Sequence, residues 1–142
     1  MRRVAGVAQR RRAIGVAAAF AALVLSLAAC GGNGYETVKV ADLANATANA
    51  TATVPNVVVL DVREPYEFAE GHVPGAILLP LSSLEQRIDE VPEGDPIYVI
   101  CRSGNRSQQA SEILVENDVK NVVNVDGGMI AWQAAGYPVE RP

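Results

Sequence analysis

The segment Cys101-Arg102-Ser103-Gly104-Asn105-Arg106-Ser107 joins a continuous apolar run, Ile97 to Ile100, to a helical pattern over Ser107 to Asn117. It therefore puts a thiol at the C-terminal end of a buried strand, just before a helix N-terminus. Successive backbone N–H groups in such a turn can face inward as an anion-binding nest. The helix contributes roughly half a positive charge at the same end, and Arg106 adds a formal one. Each of these favours thiolate over thiol. Gly104 gives the turn a backbone freedom that a side chain would deny it. A cysteine after an apolar run is often only inert core. The short loop, its internal glycine, its terminal arginine and the helix start together favour a functional loop instead.

The loop length selects among chemistries. Cys101 and Arg106 enclose four residues, one fewer than the Cys-x5-Arg cradle of cysteine phosphatases, because position 107 is Ser. A smaller ring suits a compact cargo, such as a terminal persulfide sulfur, better than a tetrahedral phosphate. The thiolate would attack the outer sulfur of a donor such as thiosulfate and expel sulfite. A nucleophilic acceptor would then take the sulfur from the cysteine persulfide, in two-step covalent catalysis with preorganised amides as the main source of rate.

The elements that must position this loop follow from the hydrophobic pattern. Val57 to Leu60, Ala76 to Leu79, Ile97 to Ile100 and Val122 to Val125 are short apolar runs of the kind buried on both faces. Thr37 to Val40 reads as a further strand. Helical stretches are expected at Asp42 to Thr51, Leu84 to Asp89, Ser107 to Asn117 and Gly128 to Ala135. Alternating strands and helices predict an α/β fold, a mainly parallel sheet covered on both faces. Chemistry in such sheets sits at the carboxyl ends of the strands. The triplets Asn45-Ala46-Thr47 and Asn49-Ala50-Thr51 match glycosylation sequons but are read as polar helix or loop.

The N-terminus has a different character. Five of the twelve basic residues fall within the first twelve positions, and no acidic residue precedes Glu36. The apolar run Ile14 to Ala29 follows, ending Leu27-Ala28-Ala29-Cys30 before two glycines. A basic start, a short apolar stretch and small residues at its end describe a secretory signal, and the ending resembles a bacterial lipobox. Residues 1–29 are accordingly expected to be a lipoprotein signal peptide, Cys30 the lipidated residue, 30–36 a short tether and 37–142 the domain. The run falls short of the ~20 residues that span a bilayer as a helix, which disfavours an uncleaved anchor. Export by the general or the twin-arginine route stays open. The expected location is the outer face of the cytoplasmic membrane. With Cys30 lipidated, Cys101 is the one remaining thiol, and a disulfide within the monomer is excluded. Beyond position 12, seven basic residues face sixteen acidic ones, a balance that disfavours nucleic-acid binding. One His and one available Cys are too few for the usual metal-ligand set.

Three ordered motifs resemble the rhodanese-like domain family. Leu60-Asp61-Val62-Arg63-Glu64-Pro65-Tyr66-Glu67-Phe68 with Gly71-His72-Val73-Pro74-Gly75-Ala76 resembles its N-terminal signature. Cys101 to Ser107 resembles its active loop, and Asp126-Gly127-Gly128-Met129, Trp132 and Gly136-Tyr137-Pro138-Val139 resemble its C-terminal end. The resemblance spans about Thr37 to Val139. It implies a five-stranded, mainly parallel sheet flanked by helices on both faces, and thiosulfate-type sulfurtransferase activity without a cofactor. It assigns the sulfur carrier to Cys101 and the persulfide cradle to Arg102, Ser103, Gly104, Asn105 and Arg106. The physiological donor is left open, and the acceptor is open between a small thiol and a protein.

Other residues are weighed against blander roles. His72, the single histidine, invites a general-base role, but its place in a Gly-His-x-Pro-Gly-Ala turn favours ordering the loop. Asp61 and Arg63 are expected to pair as scaffold near the active end. Glu64-Pro65 is expected to begin a turn, with Tyr66 to Phe68 in the core, and Trp132 is expected to pack. Two rival functions remain: a partner-docking or sulfur-holding module with little turnover, and a phosphatase or arsenate reductase, which the short loop disfavours.

Overall fold

The computed structural model describes residues 34–49 and 56–142. The signal-like segment, Cys30 and the second sequon's Ala50 and Thr51 lie outside the described residues. Five strands form one sheet: β1 Glu36–Lys39, β2 Val58–Asp61, β3 Ile77–Leu78, β4 Ile97–Ile100 and β5 Val122–Asp126. Their order is β1-β5-β4-β2-β3, and every pairing is parallel. The central strands carry the β-branched runs and are largely buried, whereas edge strand β1 is mostly exposed. That distribution is what a sheet covered on both faces requires.

The pleat sends neighbouring side chains to opposite faces and so builds two cores. Leu60, Val99 and Cys101 pack with Ala110 and Leu114 on one face, while Val59, Ile100 and Val125 pack with Leu43, Met129 and Trp132 on the other. The helices divide accordingly: α1 (Val40–Asn49) and α5 (Gly128–Ala134) cover the second face, and α4 (Asn105–Glu116) covers the first, with α3 (Leu81–Leu84) running into a 3₁₀ turn at Glu85–Glu90. α4 buries Ser107, Ala110, Ser111 and Leu114, the i, i+3, i+4, i+7 stripe of an amphipathic helix. Among the described residues no helix is long and apolar enough to cross a membrane.

Two differences from the sequence reading concern the elements beside Cys101. α4 begins at Asn105, two residues earlier than expected, so half of the loop is the first turn of the helix. A helix, α2 (Pro65–Glu70), stands where a turn was expected. Pro65 occupies its first position, where the missing N–H costs nothing. Glu64 and Glu67 close a reciprocal capping box that satisfies two otherwise orphaned donors. That helical phase turns Glu67 inward and leaves Tyr66 exposed. Tyr66 is therefore not core, and Phe68 is only half-buried.

Candidate active site

The carboxyl ends of β2, β4 and β5 gather the candidate residues. Cys101 directly follows β4 and is 1% exposed. Its sulfur accepts the Gly104 N–H at 3.1 Å and lies 3.5 Å from the Ser107 hydroxyl oxygen. Gly104 adopts φ 109°, and a Cβ there would stand 3.2 Å from Asp126 Oδ1 and 3.3 Å from the Gly127 nitrogen. The left-handed backbone favours glycine, and the space would hold a Cβ only tightly. The first helical bond of α4 runs from the Gln108 N–H to the Gly104 carbonyl. The N–H groups of the preceding turn, Asn105 to Ser107, thus have no place in the helical ladder.

The loop is held from behind by α5. The Met129 N–H donates to the Cys101 carbonyl at 2.8 Å, and the Ile130 N–H to the Arg102 carbonyl at 3.0 Å. Because a trans peptide is planar with its N–H opposite its C=O, these two bonds turn the Arg102 and Ser103 N–H groups away from α5. Gly128 makes this approach possible: a Cβ there would meet the Cys101 carbonyl oxygen at 2.5 Å and the Arg102 carbonyl at 2.6 Å. The Asp126-Gly127-Gly128 motif is thus the back wall of the loop.

Arg106 is not the free cation that the sequence suggests. Its guanidinium donates to both carboxylate oxygens of Glu67, at 2.7 Å each. The hydrogen bonds from Arg106 hold the Glu67 carboxyl down at about 2, against the opposing cost of burial. The pair also raises the Arg106 value, chiefly through the same bonds. The Glu67 carboxylate thus offsets much of the Arg106 charge, while the Gly104 N–H donates directly to the sulfur. Sequence reasoning missed Glu67. Its signal was the Glu64-Pro65-x-Glu67 spacing, which marks a capped helix start.

Asp61 and Arg63 form a buried ion pair, with Arg63 Nε 2.9 Å from Oδ1 and Nη2 2.6 Å from Oδ2. Arg63 also donates to the carbonyls of Glu67 and Gly71. It thereby fixes α2, and α2 presents Glu67 to Arg106. His72 is buried, stacked on Phe68 with ring centroids 3.6 Å apart and Nδ1 2.9 Å from the Phe68 carbonyl oxygen. Its backbone exchanges two hydrogen bonds with Glu140. Its hydrogen-bond partners therefore lie in α2 and the C-terminal segment, not in the loop. Ser103 and Asn105 are exposed on the loop. Trp132 is buried and donates to the Pro138 carbonyl at 2.8 Å.

This combination of an all-parallel sheet and a Cys-x4-Arg loop at the end of its central strand defines a class. Residues 41–135 match the model of the Rhodanese-like domain, and the chain belongs to that family. A protein named sulfurtransferase from Allochromatium vinosum is 37% identical over 91 residues, 64% of this chain and 85% of that one. One named thiosulfate sulfurtransferase GlpE, from Pseudoalteromonas translucida, is 37% identical over 61% of this chain and 83% of its own. The putative sulfur carrier protein YrkF of Bacillus subtilis is 43% identical over 52% of this chain, a match that spans 40% of YrkF. Among solved structures, a rhodanese-related protein from Thermoplasma volcanium superposes with a TM-score of 0.64 at 34% identity, covering 76% of this chain and all of that one. Proteins named as sulfurtransferases are thus among its sequence relatives, and a rhodanese-related protein shares its fold.

Proposed function

We propose that the protein is a sulfurtransferase that carries sulfane sulfur as a persulfide on Cys101, taking it from thiosulfate or a related donor. The observation that carries this reading is the clamped loop. α5 holds the Cys101 and Arg102 carbonyls from behind while the Gly104 N–H donates to the sulfur. A donor held in place by such a clamped loop suits an anionic sulfur, because no reorganisation is needed when charge arrives. In the first step the Cys101 thiolate attacks the outer sulfur of thiosulfate. The new S–S bond forms as the donor's own breaks, and sulfite leaves with the electron pair. The acceptor then attacks the outer persulfide sulfur, and the pair returns to Cys101. Neither step needs a general base once the thiolate exists. Exposure to thiosulfate should add one sulfur mass to the protein, and Cys101→Ser should lose both this adduct and sulfur release to cyanide. A wild-type protein that takes up no sulfur would sink the reading.

We further propose that the domain works outside the cytoplasmic membrane, tethered through lipid on Cys30. The basic start, the Ile14–Ala29 run and the small residues before Cys30 support this. Intact-mass analysis of protein extracted from its own membrane tests it, and a cytosolic chain retaining Met1 to Ala29 would overturn it.

A further inference from the structure

Beside the loop lies a cleft of about 310 Å³. It borders the reactive segment directly. Arg102 belongs to the loop, Glu67 binds Arg106, and the Met129 N–H holds the Cys101 carbonyl. A donor oxyanion the size of about three waters, at ~30 Å³ each, fills only about a third of it. The cleft therefore has room for more than the donor.

Three large hydrophobic side chains stand exposed among the described residues: Tyr66 at 68%, Ile130 at 55% and Ile77 at 43%. Two of them, Tyr66 and Ile130, line this cleft. Single exposed apolar residues are ordinary, but an aromatic and an aliphatic flanking one concavity that Arg102 of the Cys101 loop also lines form a contact surface. Tyrosine is among the side chains that carry binding energy at protein interfaces.

Charge narrows the partner. Glu67 is satisfied by Arg106 and Arg63 by Asp61, so neither offers net charge to a ligand. Arg102 is exposed and has no ion-pair partner among the described residues. Glu70 shares the rim, which favours one carboxylate placed at Arg102 over a run of acidic groups.

We infer that this cleft docks a protein acceptor. That partner presents its cysteine on an extended segment, with an apolar side chain for Tyr66 and Ile130 and a carboxylate for Arg102. The inference rests on the sulfurtransferase reading and names the acceptor class for the same site. The acceptor thiolate forms a bond to the outer sulfur of the Cys101 persulfide, and the Cys101 Sγ–S bond breaks. Its electron pair stays on Cys101, and the acceptor departs as the persulfide. No oxidant, reductant or proton is consumed.

The test loads the protein with thiosulfate and measures sulfur transfer to three acceptors. These are cyanide, a short peptide with cysteine between leucine and aspartate, and one with cysteine between serine and lysine. Wild-type protein should favour the first peptide by about tenfold in second-order rate, the effect of one anchor contact. Tyr66→Ser should lose most of that preference and keep its rate with cyanide. Equal rates on the two peptides would overturn the inference, as would a Tyr66→Ser protein that retains the preference. Equal slowing towards cyanide and peptide would assign Tyr66 to general access and would also overturn it. Failure of wild-type protein to turn over cyanide would instead bring down the sulfurtransferase reading beneath it.

Discussion

Ser107 stands at the sulfur with a choice of partners. Its hydroxyl donates to the Gly104 carbonyl at 2.9 Å, which also accepts the Gln108 N–H at 3.1 Å. Rotation of the hydroxyl towards a thiolate therefore leaves that carbonyl satisfied and adds a second donor to the sulfur. Ser107→Ala should fold, lose about 1 kcal/mol of stability and release sulfite about tenfold more slowly in a single turnover, the equivalent of ~1.4 kcal/mol. An unchanged rate would show that the Gly104 N–H suffices. Glu67 makes a prediction about pH. Its folded value, about 2, lies below the ordinary 4.5. A depressed carboxylate contributes stability that is fully present above the unfolded value and is lost as pH falls through the folded one. The contribution is on the order of 2–3 kcal/mol, and it should disappear between roughly pH 4.5 and pH 2. Urea midpoints of wild type and Glu67→Gln should therefore differ at pH 7 and converge in acid. Curves that stay parallel would mean that the carboxylate is not coupled to Arg106 in solution.

At the scale of elements, the site depends on how closely α5 approaches the strand end. Gly128 (φ 55°) would bring a Cβ against two fixed carbonyls, whereas Gly136 (φ 75°) has nothing within 4 Å of its would-be Cβ. Gly136→Ala bears only backbone strain, about 1 kcal/mol. Gly128→Ala bears the same strain and must also break the Met129 and Ile130 hydrogen bonds to the loop. It should cost roughly 3 kcal/mol or more and abolish sulfur loading. Thermal melts and the mass adduct, measured on both variants, separate strain from loss of the clamp. Comparable effects of the two substitutions would argue that the clamp is dispensable. α2 acts from the opposite side. Arg63 binds the carbonyls of Glu67 and Gly71, so α2 is a strut between the β2 end and Arg106.

For the molecule as a whole, the uneven charge supports the proposed division between an exported leader and a working domain. Five of the twelve basic residues cluster before the apolar run that precedes Cys30, and the acidic residues all lie from Glu36 onward. Cys30→Ser should release the protein from the membrane fraction without altering sulfur loading of Cys101, measured by fractionation and intact mass. Loss of loading on release would tie the chemistry to the membrane. Within the domain, the strand order puts β4 at the centre. The Cys101 loop is therefore flanked by the ends of β2 and β5, which deliver the Asp61–Arg63 pair on one side and the Asp126-Gly127-Gly128 wall on the other.

The sequence by itself determined the strands, because runs such as Ile97–Ile100 and Val122–Val125 are local and need no partner to be recognised. It also marked the reactive loop, since a thiol, a glycine and an arginine fall within seven consecutive residues. It could not place Tyr66 outside or aim Glu67 at Arg106, because that depends on the phase of a six-residue helix fixed by Pro65 and its capping box. Nor could it show that Arg106 is neutralised, since Glu67 lies 39 positions away and meets it only across the sheet's end. The tertiary structure alone decided that the Gly104 N–H meets the sulfur while the Arg106 guanidinium is paired with Glu67. Such pairings reach across chain separations that no local pattern of residues records.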